Sequence, residues 1–332
     1  MKKCCFIIPY FGKFNNYFPL FLKTCAWNTD FNWLVITDDE TPYDYPDNFR
    51  VIKMSFDELK ELVQSKFDFP ISLEKPYKLC DYKPAYGYIF EEYLSCYKFW
   101  GHCDTDVLMG NLSKFITVDM MDTYDKIFCL GHMTLYKNTM ENNRIFMSPY
   151  KGKYIFKDVF SCKSICWFDE SWKDYDNINK IFSECGKRVF SKDLSLNFKI
   201  MVSQFVKTTY REITSSHSAY YDTEAYKKCI YLWKNGEIAR YYLKGDELQK
   251  EEFAYIHLQK RRMRYSLEIV KYNSVQIVAN KFIRFKYADV TDSNFKKIKS
   301  EYINTQYWYV KVLPKLQHLK TFIVKYLSKI ES

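Results

Sequence analysis

Glycine is scarce in this 332-residue chain, with only 9 present. Neither a GxGxxG nor a GxxxxGK[ST] pattern occurs. This excludes a nucleotide site built on a glycine-rich phosphate loop. No apolar run approaches the roughly 18 residues needed to cross a bilayer, so no membrane span is expected. The 11 cysteines include no CxxC pair and no Cys/His array with zinc spacing. The opening "MKKCCFIIPYF" has two lysines and an apolar run too short for a leader, and Pro9 ends it. The expectation is a cytoplasmic protein with free thiols.

Aromatic residues, by contrast, are abundant. They make up 19% of the chain, 30 of them Tyr and 27 Phe, within a hydrophobic fraction of 47%. That composition and length predict one large α/β domain or two smaller ones. The net charge of +10 is concentrated at the end, where residues 281–332 hold eleven Lys/Arg against four acids. A basic tail on a balanced body points to an anionic partner, either lipid or nucleic acid.

The pattern along the first 66 residues predicts β-α-β-turn-β-α. "KKCCFIIPYF", "FNWLVITDDE" and "FRVIKMS" read as strands, and "YFPLFLKTCAWN" and "FDELKELVQSKF" as helices. Such alternation builds a parallel, doubly wound sheet, which binds ligands at the carboxyl ends of its strands. The residues at those ends are Pro9, Tyr10 and Phe11 after the first strand, and Thr37, Asp38 and Asp39 after the second. The second set reads equally as a solvated, helix-capping turn. Further on, "AYGYIFEEYL" has helical spacing, "CYKFWGHCDTDVLMG" reads as a strand ending at two aspartates, and "DKIFCLGHMTLYKN" as a strand plus turn.

Asp104 and Asp106 carry the chemistry. On an extended segment, residues i and i+2 face the same way, so the two carboxylates can converge on one cation. Hard oxygen ligands favour Mg²⁺ or Mn²⁺. Without a cation, two carboxylates at the end of so apolar a run are costly to bury.

A helix followed by an apolar strand ending in Asp-x-Asp, within a nucleotide-binding α/β domain, resembles the GT-A glycosyltransferases. There the motif holds a metal on the diphosphate of a nucleotide sugar. The stretch "KLCDYKPAYGYIFEEYL…FWGHCDTDVLMGNL" is also similar to an uncharacterised bacterial glycosyltransferase family found with capsule or lipopolysaccharide genes. The resemblance spans roughly residues 1–265. It implies a GT-A, Rossmann-like fold with a mixed, mostly parallel sheet. The catalytic domain would occupy residues 1–275 and a basic, helical extension residues 276–332. It also implies transfer of a sugar, UDP-linked by preference, to a glycan or lipid-linked acceptor in bacterial surface polysaccharide synthesis.

Related galactosyl- and mannosyltransferases use a residue on the preceding helix to contact the donor. Asp81 and Lys83 occupy that place, and Lys83 reads equally as a solvated residue before Pro84. The galactosyltransferase-like families add a late histidine as metal ligand and a lysine on the diphosphate. In "FAYIHLQKRRM" these would be His257 and Lys260, followed by Arg261 and Arg262, although the glycine usual between the His and the Lys is missing.

Three more residues are candidates for catalysis or acceptor contact: His132 in "GHMTLYKN", and Asp169 and Glu170 in "CWFDESW", either of which can serve as general base. Two other readings remain open. One is a metal-dependent nucleotidyl- or phosphotransferase, which would share the metal site. The other is a nucleic-acid-binding protein using the basic tail, against which no nucleic-acid signature stands beside the acid pair. Between residues 312 and 330 apolar residues recur at spacings of three and four with lysines at the borders. The expectation there is an amphipathic helix that either lies on anionic lipid or docks on the domain.

Overall fold

The computed structural model describes residues 2–171, 175–211, 220–224, 226–259, 261, 263–304, 307–308 and 312–313. The chain opens with β1 (Lys2–Pro9), α1 (Phe18–Ala26), β2 (Phe31–Thr37), β3 (Phe49–Lys53) and α2 (Phe56–Ser65), in the expected order. The strand β1 is apolar on both faces because a parallel sheet is covered on both sides. Cys4, Phe6 and Ile8 point into one core with Phe18 and Phe21 of α1, while Cys5 and Ile7 point into another with Leu59 and Val63 of α2. The helix α2 starts where Ser55 and Glu58 form a reciprocal capping box.

The continuous helix expected over residues 85–94 is broken after Ile89, where Phe90 leaves helical geometry (φ −110°, ψ 25°) and Glu91–Tyr93 forms a 3₁₀ turn. Ahead of it Pro84 cannot donate to a helix ladder, and the chain forms α3 (Leu79–Tyr82), a 3₁₀ turn (Lys83–Ala85) and α4 (Tyr86–Ile89). Next come β4 (Tyr97–Cys103) and β5 (Val107–Met109). Asp104 to Asp106 form the turn between them, not the end of one extended strand. A hairpin of β6 (Lys126–Leu130) and β7 (Met133–Lys137) follows, then β8 (Val189–Phe190).

The principal sheet has the order β3-β2-β1-β4-β7-β6-β8. The pairs β1–β2, β2–β3, β1–β4 and β6–β8 are parallel, and β4–β7 and β6–β7 antiparallel. This is the expected mixed, mostly parallel α/β sheet. Strand order reverses beside β1, which opens a crevice at the carboxyl ends of β1 and β4.

The second half is richer in antiparallel strands than its sequence pattern suggests. Its strands are β9 (Ser195–Ile200), β10 (Phe205–Arg211), β11 (Tyr220–Glu224), β12 (Cys229–Lys234), β13 (Glu237–Lys244), β14 (Glu247–Phe253), β15 (Tyr255–His257), β16 (Ser274–Val278) and β17 (Lys281–Arg284). One sheet runs β11-β10-β9-β15-β5 and another β14-β13-β12-β16-β17. Thus β4 and β5, two strands joined by the aspartate turn, belong to different sheets.

The boundary placed at residue 275 falls inside β16, whose pairing with β12 ties it to the preceding strands. Phe285, Val290, Phe295 and Ile298 then pack on Ile230, Leu232 and Tyr241. The chain from β16 to Ile298 therefore shares packing with β12 and β13. The predicted amphipathic helix lies outside the described residues apart from Val312 and Leu313. Among the described residues, no helix is long and apolar enough to cross a membrane.

Candidate active site and metal centre

The aspartate turn is held at its backbone from both sides. The Asp104 N–H donates to the His132 carbonyl (3.0 Å), the Asn15 amide to the Thr105 carbonyl (3.0 Å), and the Leu258 N–H to the Asp106 carbonyl (2.9 Å). Antiparallel pairing of β5 with β15 sets His257 opposite Val107, next to Asp106. One ligand atom from each of Asp104, Asp106 and His257 lies within 4.8 Å of the others. His257 Nε2 stands 3.7 Å from Asp106 Oδ1.

A buried polar chain orients His257. The Asn197 amide donates to Ser195 Oγ (2.6 Å), which leaves its Oδ1 to accept from His257 Nδ1 at 3.0 Å. Ser195 Oγ donates in turn to Asp193 (2.5 Å). With Nδ1 carrying the proton, Nε2 is turned toward the aspartates with its lone pair, the tautomer a metal ligand needs. His132 does not join this set as a second imidazole. Its ring stacks on His257 at 4.2 Å and its Nδ1 meets the Tyr255 hydroxyl at 2.9 Å. Burial, with His257 next to it, pushes His132 down to about 3, so it is neutral at neutral pH.

Lys83 links the metal centre to the acid pair. Its Nζ donates to Asp104 Oδ1 (2.8 Å) and to the Gly131 carbonyl (2.8 Å), and lies 3.4 Å from Asp169. Burial alone would lower the ammonium's pKa, but Asp104 and Asp169 raise it well above the usual lysine range. Burial likewise works against Asp104, yet Lys83 and His257 hold that carboxyl at about 2. Asp169 behaves in the opposite way. Burial pushes it up to about 7, with Glu170 adding and Lys83 opposing. Glu170 is also raised by burial, against the pull of the Gly131 N–H that it accepts at 3.2 Å.

Gly131 leaves room for the acid pair. A Cβ at that position would stand 2.7 Å from Asp169 Oδ2 and 3.1 Å from Glu170 Oε2.

These groups share one cavity of about 1170 Å³. Pro9, Tyr10, Phe11, Lys13, Asn15 and Tyr17 line its β1 side, and Lys83, His102, Gly131, Asp169 and Glu170 line another part. The His102 ring is buried in the wall, and neither of its nitrogens has a hydrogen-bond partner among the described residues. Of the residues expected from sequence, the cavity gathers Pro9, Tyr10, Phe11, Lys83, Asp104, Asp106, His132, Asp169, Glu170 and His257.

Asp81, Thr37, Asp38 and Asp39 do not line it, because each is engaged elsewhere. Asp81 is fully buried on Lys78 and two backbone N–H groups. The Thr37 hydroxyl accepts from the Asp39 N–H, Asp38 accepts from the Gly12 N–H, and Asp39 is closed in by Lys13, Phe14 and Thr41.

Lys260 and Arg262 lie outside the described residues. Arg261 is buried, with its guanidinium beside the stacked Phe198 and Phe205 rings (5.4 and 5.0 Å) and one N–H on the Phe198 carbonyl (2.9 Å). Burial lowers it to about 10. The sequence pattern did not single out Asn197 or Gly131. The only hint of Asn197 is a polar residue alternating with Leu196 and Phe198 along a strand.

The model of a family of unknown function, DUF6625, matches residues 6–286. The chain belongs to that family. Two solved structures of LgtC are also similar to this DUF6625 chain. One is of an active-site mutant, and the other is described as the galactosyltransferase in complex with donor and acceptor sugar analogues. Each is 12% identical with a TM-score of 0.33, and the match covers 58% of this chain and 74% or 75% of the other. No curated protein matches the chain.

Proposed function

We propose that this protein is a metal-dependent glycosyltransferase of the GT-A type. The reading rests on one observation. Two carboxylates and a correctly tautomerised imidazole converge in the wall of a large cavity, at the carboxyl ends of parallel strands. That donor set suits Mn²⁺ or Mg²⁺, held by Asp104, Asp106 and His257. A divalent ion there supplies Lewis-acid stabilisation of a departing nucleoside diphosphate.

The protein's own groups divide the remaining work. Pro9, Tyr10 and Phe11 border the nucleotide end, where an aromatic ring can stack on a base. Lys83 reaches donor oxygens from its place beside Asp104, and Lys260 is assigned to the diphosphate. Asp169, with Glu170, takes the proton of the acceptor hydroxyl, because a carboxyl near 7 ionises close to neutral pH. His132 backs the His257 ring. Asp81, Thr37, Asp38 and Asp39 are left out of the donor site.

The donor we propose is a UDP-sugar. The acceptor is a glycan or a lipid-linked saccharide in bacterial capsule or lipopolysaccharide assembly, at the cytoplasmic face of the membrane. The residues after 304 are the proposed membrane contact. Four carboxylates crowd the cavity, which speaks against a nucleic-acid backbone as ligand.

The test is nucleoside diphosphate release from UDP- and GDP-sugars by the full chain with Mn²⁺, beside a panel of nucleoside triphosphates. Release from a UDP-sugar that stops with EDTA is expected. Turnover of triphosphates alone would replace this reading by a phospho- or nucleotidyltransferase.

A further inference from the structure

The segment Ile165–Glu170 presents a feature that neither the metal centre nor the acid pair uses. Trp167 lines the cavity, yet its backbone lies in the left-handed region at φ +52°. A bulky side chain rarely adopts that conformation, and where one does the surrounding structure must enforce it. The enforcing group is Asp81. Its Oδ2 accepts the N–H of Cys166 (2.9 Å) and its Oδ1 the N–H of Phe168 (3.1 Å), so one carboxylate grips the residues on both sides of Trp167. Asp81 is fully buried and Lys78 nearly so. Lys78 Nζ donates to Asp81 (2.7 Å) and to the carbonyls of Val159 (3.0 Å) and Ser164 (2.7 Å). A buried ion pair with this many hydrogen bonds fixes a geometry more than it adds stability.

What it fixes is an indole at the cavity edge. The Trp167 ring is half-buried, with its centroid 5.1 Å from that of Tyr175. Tyr77, next in sequence to Lys78, also lines the cavity and is 62% exposed. Two and three residues beyond Trp167 the chain delivers Asp169 and Glu170. An exposed aromatic face beside paired carboxylates suits a pyranose, whose C–H face packs on the ring while its hydroxyls donate to the acids. A phosphate-bearing donor is disfavoured beside those acids and has Tyr10 at the β1 side.

We propose that Trp167 and Tyr77 form the platform for the saccharide acceptor, and that the buried Lys78–Asp81 pair is the positioning device that holds Trp167 there. This rests on the glycosyltransferase reading above.

The experiment uses the full chain with Mn²⁺ and a panel of α- and β-linked p-nitrophenyl hexosides as acceptor probes. Hydrolysis of the UDP-sugar to water is followed in parallel. Trp167→Ala should raise the acceptor KM at least tenfold while lowering kcat/KM for hydrolysis less than threefold, and Trp167→Phe should restore most of the affinity. Tyr77→Ala should give a smaller rise in acceptor KM. Asp81→Asn should reproduce the rise seen in Trp167→Ala with hydrolysis little changed, whereas a purely structural role would depress both reactions together; the Tm falls in either case, because Lys78 is left buried without its carboxylate.

Quenching of tryptophan fluorescence by the same hexosides, reduced in Trp167→Phe, reads the platform without any turnover. An acceptor KM unchanged in Trp167→Ala, or quenching equal in wild type and Trp167→Phe, overturns the platform. Absence of nucleoside diphosphate release from every donor in the wild type overturns the transferase reading instead, and the fluorescence result still decides on the saccharide site.

Discussion

Two acid pairs flank β1, one after β2 and one after β4, and in the sequence both are aspartates closing an apolar run. Their fates differ because of what surrounds the carboxylates. Asp39 is closed in by two loops: the Thr41 N–H and hydroxyl (3.0 and 2.6 Å) from its own, and the Phe14 N–H and Lys13 (3.1 and 2.7 Å) from the one after β1. Burial alone would raise its pKa, but these donors hold it well below the usual carboxylate range. The side chains of Asp104 and Asp106 instead line a cavity, where Asp104 accepts from Lys83 at 2.8 Å and Asp106 stands 3.7 Å from the His257 imidazole. An acid enclosed by backbone N–H groups and a hydroxyl ties two loops together. An acid pair that borders a cavity beside a cation and an imidazole is available to a ligand.

The sharpest way to break this comparison is to remove one charge from each pair. Asp106→Asn should cut transfer by at least about a thousandfold, the scale of a lost Lewis-acid site, while the Tm shifts little. Turnover near the wild-type rate, still present in EDTA, would put the chemistry elsewhere. Asp39→Ala should do the reverse. It leaves the Phe14 N–H and the Thr41 groups without their acceptor and should destabilise by about 3 kcal/mol. Turnover per folded molecule should fall no more than roughly tenfold. Denaturant unfolding of both variants beside their activities is the measurement.

That contrast also marks how far the sequence could be read. The β-α-β-β-α start was legible because the parallel strands carry unbroken apolar runs and α2 carries a capping box. The metal centre was legible in part. Asp104 and Asp106 stood out as charges in an apolar run, and His257 through a family resemblance. The residues that make His257 a usable ligand were not legible. Asn197 lies 60 positions from His257, and a side-chain amide in a strand has no spacing rule tying it to a distant imidazole. Asp81 was read as a donor contact because its place near the motif was right. What a linear pattern cannot show is that its carboxylate turns away, onto the backbone N–H groups of Cys166 and Phe168. Thr37 to Asp39 stood out for the same reason, since whether a strand-end acid is enclosed depends on the path of the loop after β1, which supplies Gly12, Lys13 and Phe14. The break after Ile89 was not readable, because the apolar spacing continues through it.

Asp169 sharpens the comparison from the opposite direction. Asp39 is ionised more readily than an ordinary aspartate, whereas burial lifts Asp169 to about 7. A carboxyl whose folded pKa is raised binds its proton more tightly in the native state. Its contribution to stability is therefore favourable below about pH 4 and is lost as pH rises from there toward 7. Asp169→Asn should remove that decline and make the protein more stable than wild type at pH 8, by on the order of 2 kcal/mol. It should also abolish the rise in transfer rate expected near pH 7. Urea midpoints and initial rates across pH 4 to 9 test both. A wild-type stability that is flat over this range would mean that Asp169 is ionised throughout.

The smallest expected effect concerns Lys13, the charged member of the shell around Asp39. The contact is short, but the lysine side chain is 74% exposed while that of Asp39 is fully covered. An exposed ammonium keeps most of its hydration and its rotamer freedom, so such pairs contribute little. The backbone N–H groups of Phe14 and Thr41 are fixed by the fold and lose nothing further on binding the carboxylate, so they carry most of the work of holding it. Lys13→Met keeps the aliphatic stem and removes only the charge. It should leave the denaturant midpoint almost unchanged, and added salt should shrink what difference there is. A loss as large as that of Asp39→Ala would show that the ion pair, not the backbone cage, holds the loop. The contrast between the two acid pairs would then rest on a cation in both cases.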